Sequence, residues 1–156
     1  MTTFRDIPVD RFMPALAARL ADMDGISAPE WADVIKTGTH RERPPDQDDW
    51  WTTRCAAVLR KVALHGPIGT NHMAQQFGGP RDRGVKPNRA VAGSRSIARH
   101  ALQQLQECGL VECRFNKSGT VNHGRIMTPV AQALLDDVAH LLRPEVESDI
   151  PALAKY

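Results

Sequence analysis

The feature that most restricts how this chain can fold is the stretch from Gly78 to Leu110, GGPRDRGVKPNRAVAGSRSIARHALQQLQECGL, in which an arginine-rich segment runs directly into an amphipathic helix. Between Gly79 and Gly93 the segment carries Arg81, Arg83, Lys86 and Arg89 against Asp82 alone, with two prolines and few large apolar side chains. It cannot bury a core of its own, so a solvated, positive loop is predicted. The Ser94 hydroxyl can accept from the free N–H groups of a first helical turn and Gly109 supplies the stop, which brackets a helix between them. At about 100° per residue, Ile97, Ala98, Ala101, Leu102, Leu105 and Cys108 fall on one arc facing a core, with Arg95, Arg99, Gln103 and Gln106 on the other side. Two arginines on a helix are ordinarily a solvated face. The adjoining basic segment points instead to a nucleic-acid backbone.

The distribution of charge supports the same reading. The chain carries 20 Lys and Arg against 18 Asp and Glu, a formal net charge of +2. From Trp51 to Met127, however, twelve basic residues meet three acidic ones, a local +9 that leaves −7 for the two ends together. A positive centre held between acidic ends suits a polyanion at one face and solubility elsewhere. Most of the central cations are arginines, whose planar fork fits phosphates and bases better than the point charge of lysine.

Other classes are disfavoured. At 156 residues and 42% hydrophobic, the chain is long enough for one core and too apolar for a disordered tail. No apolar run nears the roughly 18 residues that span a bilayer. The first residues, MTTFRDIPVD, lack the apolar segment of a secretory signal, so a cytoplasmic protein with no membrane partner is expected. Cys55, Cys108 and Cys113 are odd in number and set among apolar residues, which suits reduced thiols in a core. Adding His100 and His123 to Cys108 and Cys113 supplies no CxxC pair, so no metal or other cofactor is expected. Ser94 and Ser96 have helix-capping roles, the histidines keep no fixed pattern with acids, and no phosphate-binding glycine motif occurs. These features argue against an enzyme and a small-molecule substrate.

Taken in order, Phe12, Leu16, Leu20 and Met23 repeat at helical spacing, which predicts a helix from about Arg11 to Met23 capped by Asp10. Ser27-Ala-Pro-Glu30 is a capping box for a second helix, with Trp31, Val34 and Ile35 inward and a stop near Gly38. THRERPPDQDD, from Thr39 to Asp49, is a polar, proline-interrupted connection. A third helix then buries Trp51, Cys55, Val58, Leu59 and Val62, while Trp50, Arg54, Ala57 and Lys61 project from another side. That second group is either a core edge with snorkelling cations or a surface for RNA stacking and phosphate contact. A short helix from about Asn71 to Phe77 follows, and Ile68 before it can pair as a short strand. Beyond Gly109, Leu110 to Phe115 and Val121 to Met127 read as strands joined by the turn Asn116-Lys117-Ser118-Gly119. Thr128-Pro129 opens a closing amphipathic helix to Leu142.

Helix, short helix, amphipathic helix and hairpin is the order of a winged helix. The predicted fold is therefore mainly α, with a winged-helix core at about 50–135 and further helices at both ends of a single domain, 1–142. Residues 143–156 are predicted to be a loosely ordered acidic tail. Many winged helices bind duplex DNA, so a DNA-binding transcription regulator is the alternative function. It would call for a dimer, and neither terminal helix has a heptad seam.

The assembled segments resemble the small-subunit ribosomal protein nineteen family of the archaeal and eukaryotic (e-type) class. The resemblance is carried by Trp50-Trp51-Thr52-Thr53-Arg54, Leu59-Arg60-Lys61, His65-Gly66-Pro67, Phe77-Gly78-Gly79, Arg83 to Pro87, Gly93 to Arg99, Ala101 to Leu105, and Gly124-Arg125 with Thr128-Pro129. It implies a non-catalytic, monomeric protein of the subunit head that binds ribosomal RNA beside other ribosomal proteins and supports late subunit maturation. The family's basic positions correspond to Arg54, Arg60 and Arg99, and its helix-opening tryptophan to Trp50. The segment Asn116 to His123 departs from the family pattern. Residues and resemblance together give a candidate RNA-binding set of Trp50, Arg54, Arg60, Lys61, Arg81, Arg83, Lys86, Arg89, Arg95, Arg99, Lys117 and Arg125. These side chains would neutralise phosphates and recognise shape, because the deep major groove of A-form RNA does not admit a helix.

Overall fold

The computed structural model describes residues 2–149. Within them, five α-helices and two separate two-stranded antiparallel sheets follow in the order α1 (Val9–Ala21), α2 (Trp50–His65), α3 (Thr70–Gln76), β1 (Gly79–Arg83), β2 (Lys86–Val91), α4 (Arg95–Glu107), β3 (Val111–Phe115), β4 (Asn122–Met127) and α5 (Pro129–Asp149). A single apolar cluster joins all five helices. It includes Phe12, Leu16 and Leu20 of α1, Trp51, Val58 and Leu59 of α2, Met73 of α3, Leu102 and Leu105 of α4 and Leu135 of α5. Among the described residues no polar or charged residue is fully buried.

Helix α4 forms where its apolar arc and caps place it. Ser94 Oγ accepts from the N–H of Ile97 at 3.4 Å. At the other end Gly109 takes a φ of +71°, its N–H bonds the Gln106 carbonyl at 3.0 Å and that of Leu110 bonds the Leu105 carbonyl at 2.9 Å. This is a Schellman ending, and the fully buried Leu105 and Leu110 supply its apolar contact. Thr128 repeats the device for α5, where Oγ1 accepts from the N–H of Ala131 at 3.3 Å. Between these caps β3 and β4 pair from Val111↔Met127 to Phe115↔Asn122, and Asn116 Oδ1 closes their turn by accepting from the N–H of Thr120 at 3.0 Å. Ile68 adds a bridge to the outer side of β4, exchanging backbone bonds with Arg125 at 3.0 and 2.9 Å.

Four expectations are corrected. Helix α1 starts two residues early, after Pro8, so Asp10 lies in its first turn instead of capping it. The predicted second helix is a single 3-10 turn, Ala32–Val34, and Val34 is 82% exposed. Tertiary contacts override the local capping box here. The Trp31 ring packs edge-on against Trp51 at 5.6 Å, and the Ser27 carbonyl accepts from Gln104 Nε2 at 2.8 Å. Gln104 Oε1 in turn accepts from the Trp51 indole at 2.8 Å, so one amide ties α2, α4 and the 26–38 segment together.

The closing helix runs past Arg143 and through Pro144 to Asp149, so 143–149 is not a loose tail. Val146 continues the apolar spacing of Leu135, Val138 and Leu142 and is buried, which the sequence reading did not credit. Residues 150–156 of the predicted tail lie outside the described residues. Finally, the basic loop is a hairpin, the ribbon β1–β2. Its two strands meet at a crossing too tight for side chains. A Cβ on Gly78 would lie 2.3 Å from the Val91 carbonyl oxygen, and one on Gly93 would lie 2.7 Å from that of Phe77. Beyond this base nearly every ribbon residue is exposed, so backbone pairing and not burial holds it together.

Candidate nucleic-acid interface

Two arrangements concentrate positive charge. The first lies on α2. Arg54 and Lys61 are two turns apart and converge on the ring of Phe77, at the end of α3, with 4.3 and 5.2 Å to its centroid. Lys61 Nζ also reaches Gln76 Oε1 at 3.4 Å. A cation over an aromatic face gains some energy from the ring quadrupole, but much less than a carboxylate would supply. Burial pushes the pKa of the Arg54 guanidinium below its ordinary value, and Arg41 pushes it further the same way. Burial also lowers that of Lys61, helped by Arg60 and Arg54. His40 is lowered by burial and then by Arg41 and Arg54. Among the described residues the ion pairs are Arg11–Asp149 and Arg143–Glu147, and neither involves this cluster. Partly desolvated cations held against one another cost stability unless an anion arrives.

The second arrangement is the ribbon. Arg81 stands directly opposite Arg89, and Arg83 opposite Lys86. Partners across an antiparallel pair share a face, and Arg81 and Arg83 share one because they are two residues apart. The register slips by one residue between the two pairs, which keeps Lys86 on that same face. A regular hairpin would have placed it on the other. Four cations therefore crowd one side of an exposed ribbon, although like charges directly opposite one another weaken a sheet.

The remaining predicted residues are more dispersed. Arg95 and Arg99 are exposed on α4. Between them and the core, His100 packs against Trp31 at 5.0 Å and donates from Nδ1 to the Ser96 carbonyl at 2.9 Å. Arg60 has its Nε buried without a hydrogen-bond partner. Arg125 donates from Nε to Gln106 Oε1 at 3.0 Å, and Lys117 sits exposed in the turn between β3 and β4. Trp50 is a core-edge ring, only 8% exposed and edge-on to Trp51 at 5.4 Å.

Sequence reasoning missed His40, Arg41, Arg43 and Phe77. They line or adjoin a groove of about 800 Å³ between the 37–47 segment and α2, which Trp50 and Arg54 also line. The cations of the THRERPP run are the available signal, but a polar, proline-interrupted connection carries no period that would place them on a surface.

The three cysteines are free thiols. Among the described residues no group of three His, Cys, Asp or Glu side chains is placed to hold a metal, and no helix is long and apolar enough to cross a membrane.

Comparison with known proteins addresses the whole chain. The family model described as ribosomal protein S19e matches residues 3–145. A protein of Haloarcula marismortui named small ribosomal subunit protein eS19 is 42% identical, the alignment covering 100% of this chain and 99% of that protein. The protein of the same name from Thermoplasma volcanium is 32% identical over 100% and 99%. Small ribosomal subunit protein eS19A of Schizosaccharomyces pombe is 34% identical over 90% and 94%. With a family match across most of its length and relatives that align nearly end to end, the chain belongs to the ribosomal protein S19e family.

Proposed function

We propose that this protein is a structural, non-catalytic constituent of the small ribosomal subunit that binds ribosomal RNA through its arginine-rich surfaces. The observation that carries this reading is like charge set against like charge: Arg54 facing Arg41 while partly desolvated, and Arg81 opposite Arg89 on an exposed ribbon. A polyanion converts both from a cost into an attraction. Family membership supports the small ribosomal subunit as the setting and the cytoplasm as the location; within that setting we infer the subunit head as the position, late maturation as the stage, and neighbouring ribosomal proteins as further partners. Outside the ribosome the protein is a monomer. We read α2, α3, α4 and the β3–β4 hairpin, with Ile68 bridged to β4, as a winged-helix core at about 50–135 of one domain, here serving RNA.

Co-sedimentation tests the reading. The tagged protein migrates with small subunits or their precursors in high-magnesium, low-salt lysate, and Arg99→Glu, at an exposed position, reduces that fraction while leaving the isolated fold intact. Absence from those fractions overturns it. A competition between structured RNA and duplex DNA decides against the regulator reading if RNA wins, and in its favour if DNA binds equally or better.

A further inference from the structure

The groove between the 37–47 segment and α2 is not accounted for by a phosphate-tracking surface. Its volume, about 800 Å³, is that of a pocket for a small organic group. Arg54 and Phe77 both line it, with the guanidinium carbon of Arg54 over the Phe77 ring at 4.3 Å from its centroid. A guanidinium plane backed by an aromatic ring is a stacking surface for a flat π-system. The lining is mixed in charge, since Glu42 and Asp46 stand with Arg41, Arg43 and Arg54. An isolated phosphate would meet carboxylates as well as arginines there, whereas the edge of a nucleobase carries both donors and acceptors. The groove also adjoins the basic ribbon. The His40 ring lies so close over Gly79, the first residue of β1, that a Cβ there would be 3.0 Å from it. The base of the ribbon and the groove are therefore neighbours on one surface.

We propose that this groove is a pocket for one unstacked RNA nucleotide, with its base on the Arg54 guanidinium and its flanking phosphates held by the exposed Arg41 and Arg43. The proposal rests on the RNA-binding reading above and adds to it a site that paired RNA cannot enter. Recognition is by base extrusion at a bulge or loop, while the ribbon contacts the backbone on either side.

Three RNA hairpins closed by the same compact, fully stacked loop test it: one fully paired in its stem, one with a single bulged adenosine there, and one with an abasic ribose at the bulge. The bulged hairpin binds about tenfold more tightly than the abasic one, in line with the stacking of one base. Arg54→Lys, which keeps the charge but loses the plane, abolishes that difference between the bulged and abasic hairpins. The double variant Arg41→Gln/Arg43→Gln, confined to exposed residues, weakens the bulged hairpin more than the paired one, and it decides the question should Arg54→Lys fail to fold. Equal binding of the bulged and abasic hairpins overturns the pocket while leaving the RNA surface standing. So does a preference for the bulge that survives both variants. Failure of all three hairpins to bind at low salt overturns the RNA-binding reading and the pocket together.

Discussion

Arg89→Glu should strengthen the ribbon and weaken its hold on RNA, two effects that a merely structural arginine would not produce together. Arg89 lies directly across from Arg81, which places their Cβ atoms about 4.5–5.5 Å apart on one face. A like-charged pair in this position costs, and an opposite-charged pair contributes, roughly 0.2–1 kcal/mol each. Reversal therefore shifts the hairpin by about 0.4–2 kcal/mol before screening. Both residues are exposed, so ordinary salt reduces this to below about 1 kcal/mol. For binding, loss of one phosphate contact lowers the slope of log K against log salt by about 0.7–0.9, and the new negative charge adds repulsion. The assay is a salt series of fluorescence anisotropy on a structured RNA, paired with amide exchange of residues 79–91. Slower exchange and a slope reduced by about 1–2 are expected. An unchanged slope would remove Arg89 from the RNA surface. Faster exchange would show that Arg81 and Arg89 are not in conflict in the free protein.

Three further outcomes follow from the geometry. Gly93→Ala drives a Cβ to within 2.7 Å of the Phe77 carbonyl oxygen at the ribbon base. The fold should lose about 1–3 kcal/mol and several degrees of thermal stability, and unchanged unfolding would refute a crossing too tight for a side chain. Gln104→Leu leaves the buried Trp51 indole N–H and the Ser27 carbonyl without their partners. A loss of about 1–3 kcal/mol is expected in denaturant titration, and one below about 0.5 kcal/mol would mean that water replaces the amide. Burial raises the Cys55 thiol from 9.0 to about 12. Its folded pKa lies above its unfolded one, so its contribution is intact below about pH 9 and is lost as pH climbs toward 12. Cys55 should resist alkylation in the native protein at pH 9 and react on unfolding, and rapid native labelling would refute its burial.

Where an element's signal is local, it could be read in advance. Ser94, Gly109 and Thr128 act on backbone groups within a few residues, and each caps as its type implies. The β3–β4 hairpin and the pairing of Ile68 follow from strand formers beside turn residues. The ribbon escaped because a strand pattern normally alternates a buried with a solvated face, and this hairpin buries neither. Its identity rests on pairing partners and on a glycine crossing, both of which are relations between distant residues. The 3-10 turn near Trp31 escaped for a related reason, since the contacts that displace a helix there come from Trp51, His100 and Gln104. At the interface, the arginines were identifiable one by one, but not their conflicts. That Arg54 faces Arg41 across a groove depends on how the 37–47 segment folds back on α2.

The pinning of the first residues by the last helix has a consequence for the order of events during synthesis. The N–H of Phe4 bonds Asp136 Oδ1 at 3.2 Å, Thr2 Oγ1 accepts from Arg143 at 2.9 Å, and Arg11 pairs with Asp149. These partners are more than 130 positions apart, so a chain emerging from its N-terminus has to hold one flank of α1 unfinished until α5 has been translated. The segment between, from α2 to β4, contains its own caps, ribbon and hairpin and makes no such demand. The caps, ribbon and hairpin of that segment are therefore encoded ahead of the seam that closes the molecule.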